Sequence, residues 1–117
     1  MNFLVIEALQ RLHQYYGDSF SVEVPTGSGK NINLGEAACV LSRRLSTLFL
    51  PDVNGRRPIY AENSIFQQDP YFRDFILFHE FFDGDSGKGL GASHQTGWTG
   101  LVAKLLQQSG GSERTKA

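Results

Sequence analysis

NLGEAACVLSRRLSTLFLP, residues 33–51, carries the clearest structural signal in the chain. Asn33 and, three positions on, Glu36 have the spacing of a helix cap and its reciprocal partner. Leu34, Ala37, Ala38, Leu41, Leu45, Leu48 and Phe49 then recur at helical intervals until Pro51 forbids continuation. The spacing predicts a helix over 34–50, with Arg43 and Arg44 on a solvated flank and Cys39 as a small buried packing residue. Towards the N-terminus, Val5, Ala8, Leu9, Leu12 and Tyr16 form one stripe of a helix over 3–16 that Gly17 ends. Phe20, Val22 and Val24 alternate with Ser21 and Glu23, giving a short strand or an extended arm before the Pro25–Gly29 loop. Towards the C-terminus, Asp52 to Pro58 is a turn and Ile59 to Gln68 a looser stretch. Asp69 and Pro70 read as cap and first residue of a helix over 70–79, with Phe75, Ile76 and Phe78 available for burial. Of 13 glycines, Gly84, Gly87, Gly89, Gly91 and Gly97 fall between Asp83 and Trp98, which predicts a long ordered loop. A last helix over 97–108 gathers Trp98, Leu101, Val102, Leu105 and Leu106 on one face, and residues 109–117 are expected to be a disordered tail. The expected fold class is therefore all-α, mainly helical, with at most a short β-hairpin.

Composition narrows the function. The 117 residues suffice for one small domain or a piece of a larger one, and 40% hydrophobic content supports a packed core. Eleven Lys and Arg against 12 Asp and Glu leave a net charge of -1, which disfavours nonspecific nucleic-acid binding and adsorption to anionic membranes. No apolar run approaches the roughly 20 residues of a membrane span, and Phe3 to Ile6 is too short for a secretory core segment, so a cytoplasmic protein is expected. Cys39 stands alone, which excludes an intrachain disulfide or a cysteine-cluster zinc site and fits a reducing compartment.

Several motifs fail on inspection. Gly29 and Lys30 lack the glycine five positions before Gly29 and the following hydroxyl of a phosphate loop, because Val24 and Asn31 stand there. Asp83 to Gly87 begins like a calcium loop, but its sixth position is Lys88 and its twelfth is His94 in place of the bidentate glutamate. Gly87 to Ala92 fits a dinucleotide fingerprint only formally, with no βαβ pattern around it. His13, His79 and His94 have no metal-ligand spacing, so neither a metal nor another cofactor is expected.

What remains is FHEFFDGDSGKGLGASHQTGWTGL, residues 78–101. A glutamate, Glu80, expected at a helix end between aromatics and ahead of a glycine-rich loop with His94, Gln95 and Trp98, has the composition of a sugar site. Aromatic faces stack on pyranose rings, amides and imidazoles bind hydroxyls, and a partly desolvated carboxylate titrates nearer neutrality. On residue chemistry alone a plainer reading also stands, with Glu80 and His94 exposed and Trp98 in the core.

The same stretch closely resembles the C-terminal signature of family 63 type glycoside hydrolases. These include processing α-glucosidases, mannosylglycerate and glucosylglycerate hydrolases, and large bacterial glucosidase-like proteins. The matching pieces are Glu80-Phe81-Phe82, the Asp83–Gly91 loop and Thr96-Gly97-Trp98-Thr99-Gly100-Leu101-Val102. Upstream, Pro25–Gly29, Leu41–Leu45 and Asp69–Asp74 look like the bacterial group, so the resemblance covers about Val5 to Leu106.

The resemblance implies that residues 1–108 are the C-terminal part of an (α/α) toroid of six helical hairpins. It implies that Glu80 is the general base of an inverting mechanism on α-glycosidic bonds, and that Gln95, with His94 and Trp98, contacts the carbohydrate substrate. The family's general acid, an aspartate far upstream, has no counterpart here, so the chain alone is expected to be inactive. Expected partners are a carbohydrate and either the missing N-terminal part of the toroid or a second copy of the chain. The alternative is a noncatalytic helical module that binds a partner chain or a carbohydrate.

Overall fold

The computed structural model describes the backbone of residues 1–114 and side-chain surroundings through residue 109. Helix α1 (Asn2–Tyr16) is followed by a turn of 3-10 helix and then by strands β1 (Ser21–Glu23) and β2 (Asn31–Asn33). These strands pair antiparallel, Val22 opposite Ile32, and β2 runs straight into helix α2 (Leu34–Thr47). Asn33 makes that junction possible. Its carbonyl oxygen Oδ1 accepts from the Glu36 amide at 2.8 Å, while Glu36 Oε2 accepts from the Asn33 amide at 3.1 Å, which completes the predicted capping box. Beyond α2 come the five-residue helix α3 (Ser64–Gln68), strands β3 (Phe81–Phe82) and β4 (Gly89–Leu90), and helix α4 (Val102–Arg114).

Helices α1 and α4 both pack on α2. Ile6 of α1, Ala38 of α2 and Leu105 of α4 meet in one buried cluster, flanked by Phe3, Leu9 and Leu45. A second cluster joins Phe49, Ile59, Tyr60 and Val102 beneath the β3–β4 hairpin. Gly35 lets α1 approach the start of α2, because a Cβ there would lie 2.8 Å from Cδ2 of His13.

The all-α expectation is overturned. Two separate two-stranded antiparallel sheets make the fold mixed α and β. Nor are these the terminal helices of a hairpin toroid: a β-hairpin joins α1 to α2, and α3 is the only α-helix between Thr47 and Val102 among the described residues. The predicted helix over 70–79 does not form. Asp69 starts a turn, accepting from the amides of Tyr71, Phe72 and Arg73, but the chain then leaves it. Tyr60 captures that chain: its hydroxyl donates to the Phe75 carbonyl and accepts from the Leu77 amide, both at 3.0 Å.

Three smaller expectations are corrected as well. The outer stripe of α1 predicted for burial faces solvent at Val5, Ala8, Leu12 and Tyr16, and the buried stripe is Phe3, Ile6 and Leu9. Apolar residues at consecutive positions 3–6 support either stripe, and only tertiary contact selects one. Cys39 is exposed on the outer side of α2. Helix α4 continues to Arg114 through most of the expected tail, and residues 115–117 of that tail lie outside the described residues.

Candidate active site around Glu80

Glu80 precedes strand β3 in extended chain, not at a helix end. Its amide donates to the Ala92 carbonyl at 2.8 Å, and the Ala92 amide donates to Glu80 Oε2 at 3.1 Å. The carboxylate therefore lies over Gly91, whose φ of 72° is left-handed. A Cβ at Gly91 would stand 2.7 Å from Glu80 Oε2 and 2.7 Å from Cε1 of Phe81. Glycine is required there on both counts.

Glu80, Phe81, Phe82, Trp98 and Thr99 line one side of a concavity of about 250 Å3. Met1, Asn2 and Phe3 of the N-terminus, with Leu45, Leu101 and Val102, line the rest. Phe82 is fixed by an edge-on contact with Phe49 at 5.6 Å between ring centroids. Thr99 is fixed by its hydroxyl, which donates to the His79 carbonyl at 2.5 Å. Phe81 and Trp98 remain about half exposed, at 53% and 41%. Glu80, itself exposed, thus shares the lining with two accessible aromatic residues while its carboxylate is held on the Gly91–Ala92 side, and a carboxylate near aromatic faces has the chemistry of a hydroxyl acceptor beside stacking faces.

The structure brings Glu80 and Trp98 together and leaves His94 and Gln95 outside the lining. The His94 ring packs on Phe78 at 6.0 Å, through the Phe78–His94 bridge. Gln95 works through its backbone: its amide donates to the Phe78 carbonyl at 2.6 Å, and its carbonyl accepts from Trp98 and Thr99. Both side chains are exposed.

Asp83 belongs to the turn. Its Oδ1 accepts from the Ser86 hydroxyl at 2.7 Å and from the amides of Ser86 and Asp85. The Ser86 hydrogen bonds, with the Asp85 amide and the nearby Lys88 charge, hold its carboxyl below the usual carboxylate range. A group so held is a poor proton donor. His79 was singled out in the sequence only as a non-ligand, yet it is the residue that requires Gly89: a Cβ at Gly89 would lie 2.2 Å from its ring. Burial lowers the His79 pKa and its Nδ1 has no hydrogen-bond partner among the described residues. Among the described residues there is also no group of three or more His, Cys, Asp or Glu placed to hold a metal, and no helix is long and apolar enough to cross a membrane.

Against known proteins, the chain is 56% identical over 111 residues to uncharacterized protein YMR196W of Saccharomyces cerevisiae. That alignment takes in 93% of this chain but only 10% of the yeast protein, so the chain spans about a tenth of the relative it matches. No family model matches the chain, and no solved structure matches it.

Proposed function

We propose that this chain supplies the general base, Glu80, and an aromatic sugar platform, Phe81 and Trp98, to an inverting glycoside hydrolase acting on α-linked substrates. The observation that carries the reading is the shared concavity of Glu80 and Trp98. A base carboxylate and a stacking face must lie within one sugar's reach, and a shared lining supports that reading. The resemblance of Glu80 to Val102 to family 63 type hydrolases supplies the reaction class. Inversion also needs a protonated acid about 6.5–9.5 Å from the base, across the bond being broken. No second carboxylate lines the concavity, so the acid comes from polypeptide beyond these residues and the chain alone binds without turning over. His94 and Gln95 are assigned to the outer rim, where a longer substrate would reach them. A cytoplasmic location belongs to the same proposal, since Cys39 is a free, exposed thiol of the kind a reducing compartment preserves.

One observation favours a noncatalytic carbohydrate-binding module instead: the lining holds a single carboxylate. Trp98, the sole tryptophan, gives the test its signal. Titration with α-linked disaccharides should change its emission saturably, Trp98→Phe should remove the signal, and Glu80→Gln should largely keep the affinity. Emission unchanged up to about 50 mM sugar, a concentration weaker than ordinary enzyme substrates require, would remove both readings. Hydrolysis appearing when the yeast relative lacking its matched segment is added, and lost with Glu80→Gln, selects the catalytic one.

A further inference from the structure

Beside the Glu80 concavity, and sharing Asn2, Leu45 and Phe82 with it, a larger trough of about 620 Å3 opens between α1, α2 and the turn at 83–87. Its floor and walls are aliphatic or aromatic: Val5, Leu41, Leu45, Leu48, Pro58 and Phe82. Val5 and Leu41 are 45% and 37% exposed. From α1 the trough is lined by Asn2 and Val5. Leu12 and Tyr16, outside the lining, are exposed on the same face of α1 at seven and eleven positions from Val5, so an apolar strip runs along most of the helix. A strip of that length, about 16 Å at 1.5 Å per residue, exceeds a monosaccharide and matches a second helix lying alongside.

Three charged residues line it, Arg44, Asp83 and Asp85, and Asp83 is engaged by the hydrogen bonds of its own turn. Arg44 from α2 and Asp85 from the turn both line the trough, and neither makes an ion pair among the described residues. An occupant carrying a carboxylate opposite Arg44 and a basic group opposite Asp85 would satisfy both. The yeast relative offers a source for such an occupant, because nine-tenths of that polypeptide lies outside the segment that matches this chain.

We propose that the trough, with the outward strip of α1, is the docking surface for one amphipathic helix from the remainder of a long polypeptide of the yeast relative's kind. The helix lays its apolar residues, at i, i+3 or i+4 and i+7, against Val5, Leu41 and Leu48, and pairs its flanking charges with Arg44 and Asp85. This inference does not rest on the catalytic reading, and its test involves no sugar and no turnover.

The test is a chimera in which this chain replaces the matched segment of the yeast relative. Leu41→Cys and, as a control in the β1–β2 loop, Ser28→Cys are each introduced on a Cys39→Ser background. Maleimide labelling is followed by peptide-resolved mass spectrometry. Leu41→Cys should react at least about tenfold more slowly in the chimera than in the isolated chain, as expected for a desolvated interface centre, while Ser28→Cys reacts alike in both. Equal rates at Leu41→Cys overturn the proposal. So does protection in the isolated chain that grows with concentration, which makes a second copy the occupant. A second measurement guards against altered folding: Leu41→Asp should lower the melting temperature of the chimera by about 2–4 °C and leave that of the isolated chain unchanged. Equal shifts in the two contexts overturn it as well.

Discussion

Ala92 holds Glu80 from both sides, accepting a hydrogen bond from its amide at 2.8 Å and donating one to its carboxylate Oε2 at 3.1 Å. The carboxylate's direction is therefore set by the far arm of a hairpin twelve residues away, not by its own neighbours.

Gly91→Ala should break this arrangement. The new Cβ meets Glu80 Oε2 and the Phe81 ring at 2.7 Å, in a left-handed conformation. A loss of about 1–2 kcal/mol in urea unfolding is expected, with altered Trp98 emission in the folded state. An unchanged midpoint and spectrum would show that the loop has room the geometry denies.

Glu80→Gln keeps the shape and can still accept from Ala92, but it loses the basicity. In a chimera that hydrolyses sugar, turnover should fall by about 10²–10⁴-fold with binding preserved. Gln95→Ala should leave binding at the concavity intact, because the Gln95 side chain does not line it. Steady-state kinetics beside fluorescence titration separates the two variants.

Asn33→Ala removes an acceptor for the Glu36 amide and a donor to Asp18 Oδ1 at 2.9 Å. A cost of about 1 kcal/mol is expected, and Asn33→Ser should recover part of it. Denaturant midpoints of the three proteins decide the point.

Stability should fall as the solution is acidified through two ranges. Burial places the folded pKa of His79 below the ordinary 6.5, so the unfolded chain takes up the proton first. Its contribution is whole above that value and is lost as pH drops through the folded one. Asp83 behaves likewise below the ordinary 3.8, since the Ser86 hydroxyl favours its anion. Unfolding midpoints measured across pH 7.5 to 3 should show both declines. His79→Leu should flatten the upper decline and Ser86→Ala the lower, whereas parallel profiles in wild type and variants would refute the assignments.

Much of the helical framework was legible because its signals are local. Asn33 and Glu36 announce α2 within four residues, and Gly17 and Pro51 mark stops that need no tertiary partner. What failed depended on distant groups. Residues 70–74 have a helix start, but the Tyr60 hydroxyl claims the backbone at Phe75 and Leu77, and nothing near position 70 encodes that. The inward stripe of α1 was misread because residues 3–6 are apolar all round. Helix α3 was missed for a similar reason: Gln67 stabilises it by reaching back to the Arg57 amide and carbonyl, each at 2.8 Å, a contact across ten residues. At the candidate site, composition grouped Glu80, His94, Gln95 and Trp98, and of these Glu80 and Trp98 line the concavity. The exposure of Gln95 and His94 was not legible, because the Phe78–His94 bridge that fixes this stretch joins segments far apart in the sequence.

Met1 lines the same concavity as Glu80 and Trp98. Whatever is joined ahead of Met1 is thereby tethered at the mouth of that concavity and samples it at an effective concentration in the millimolar range, whether or not it has any affinity of its own. An affinity tag fused there would act as a built-in competitor and weaken apparent sugar binding, whereas the same tag beyond Arg114 would carry no such penalty from this tether. For a partner polypeptide the tether works in the opposite sense, since covalent connection ahead of Met1 delivers its last residues to the Glu80 concavity without any interface having to recruit them.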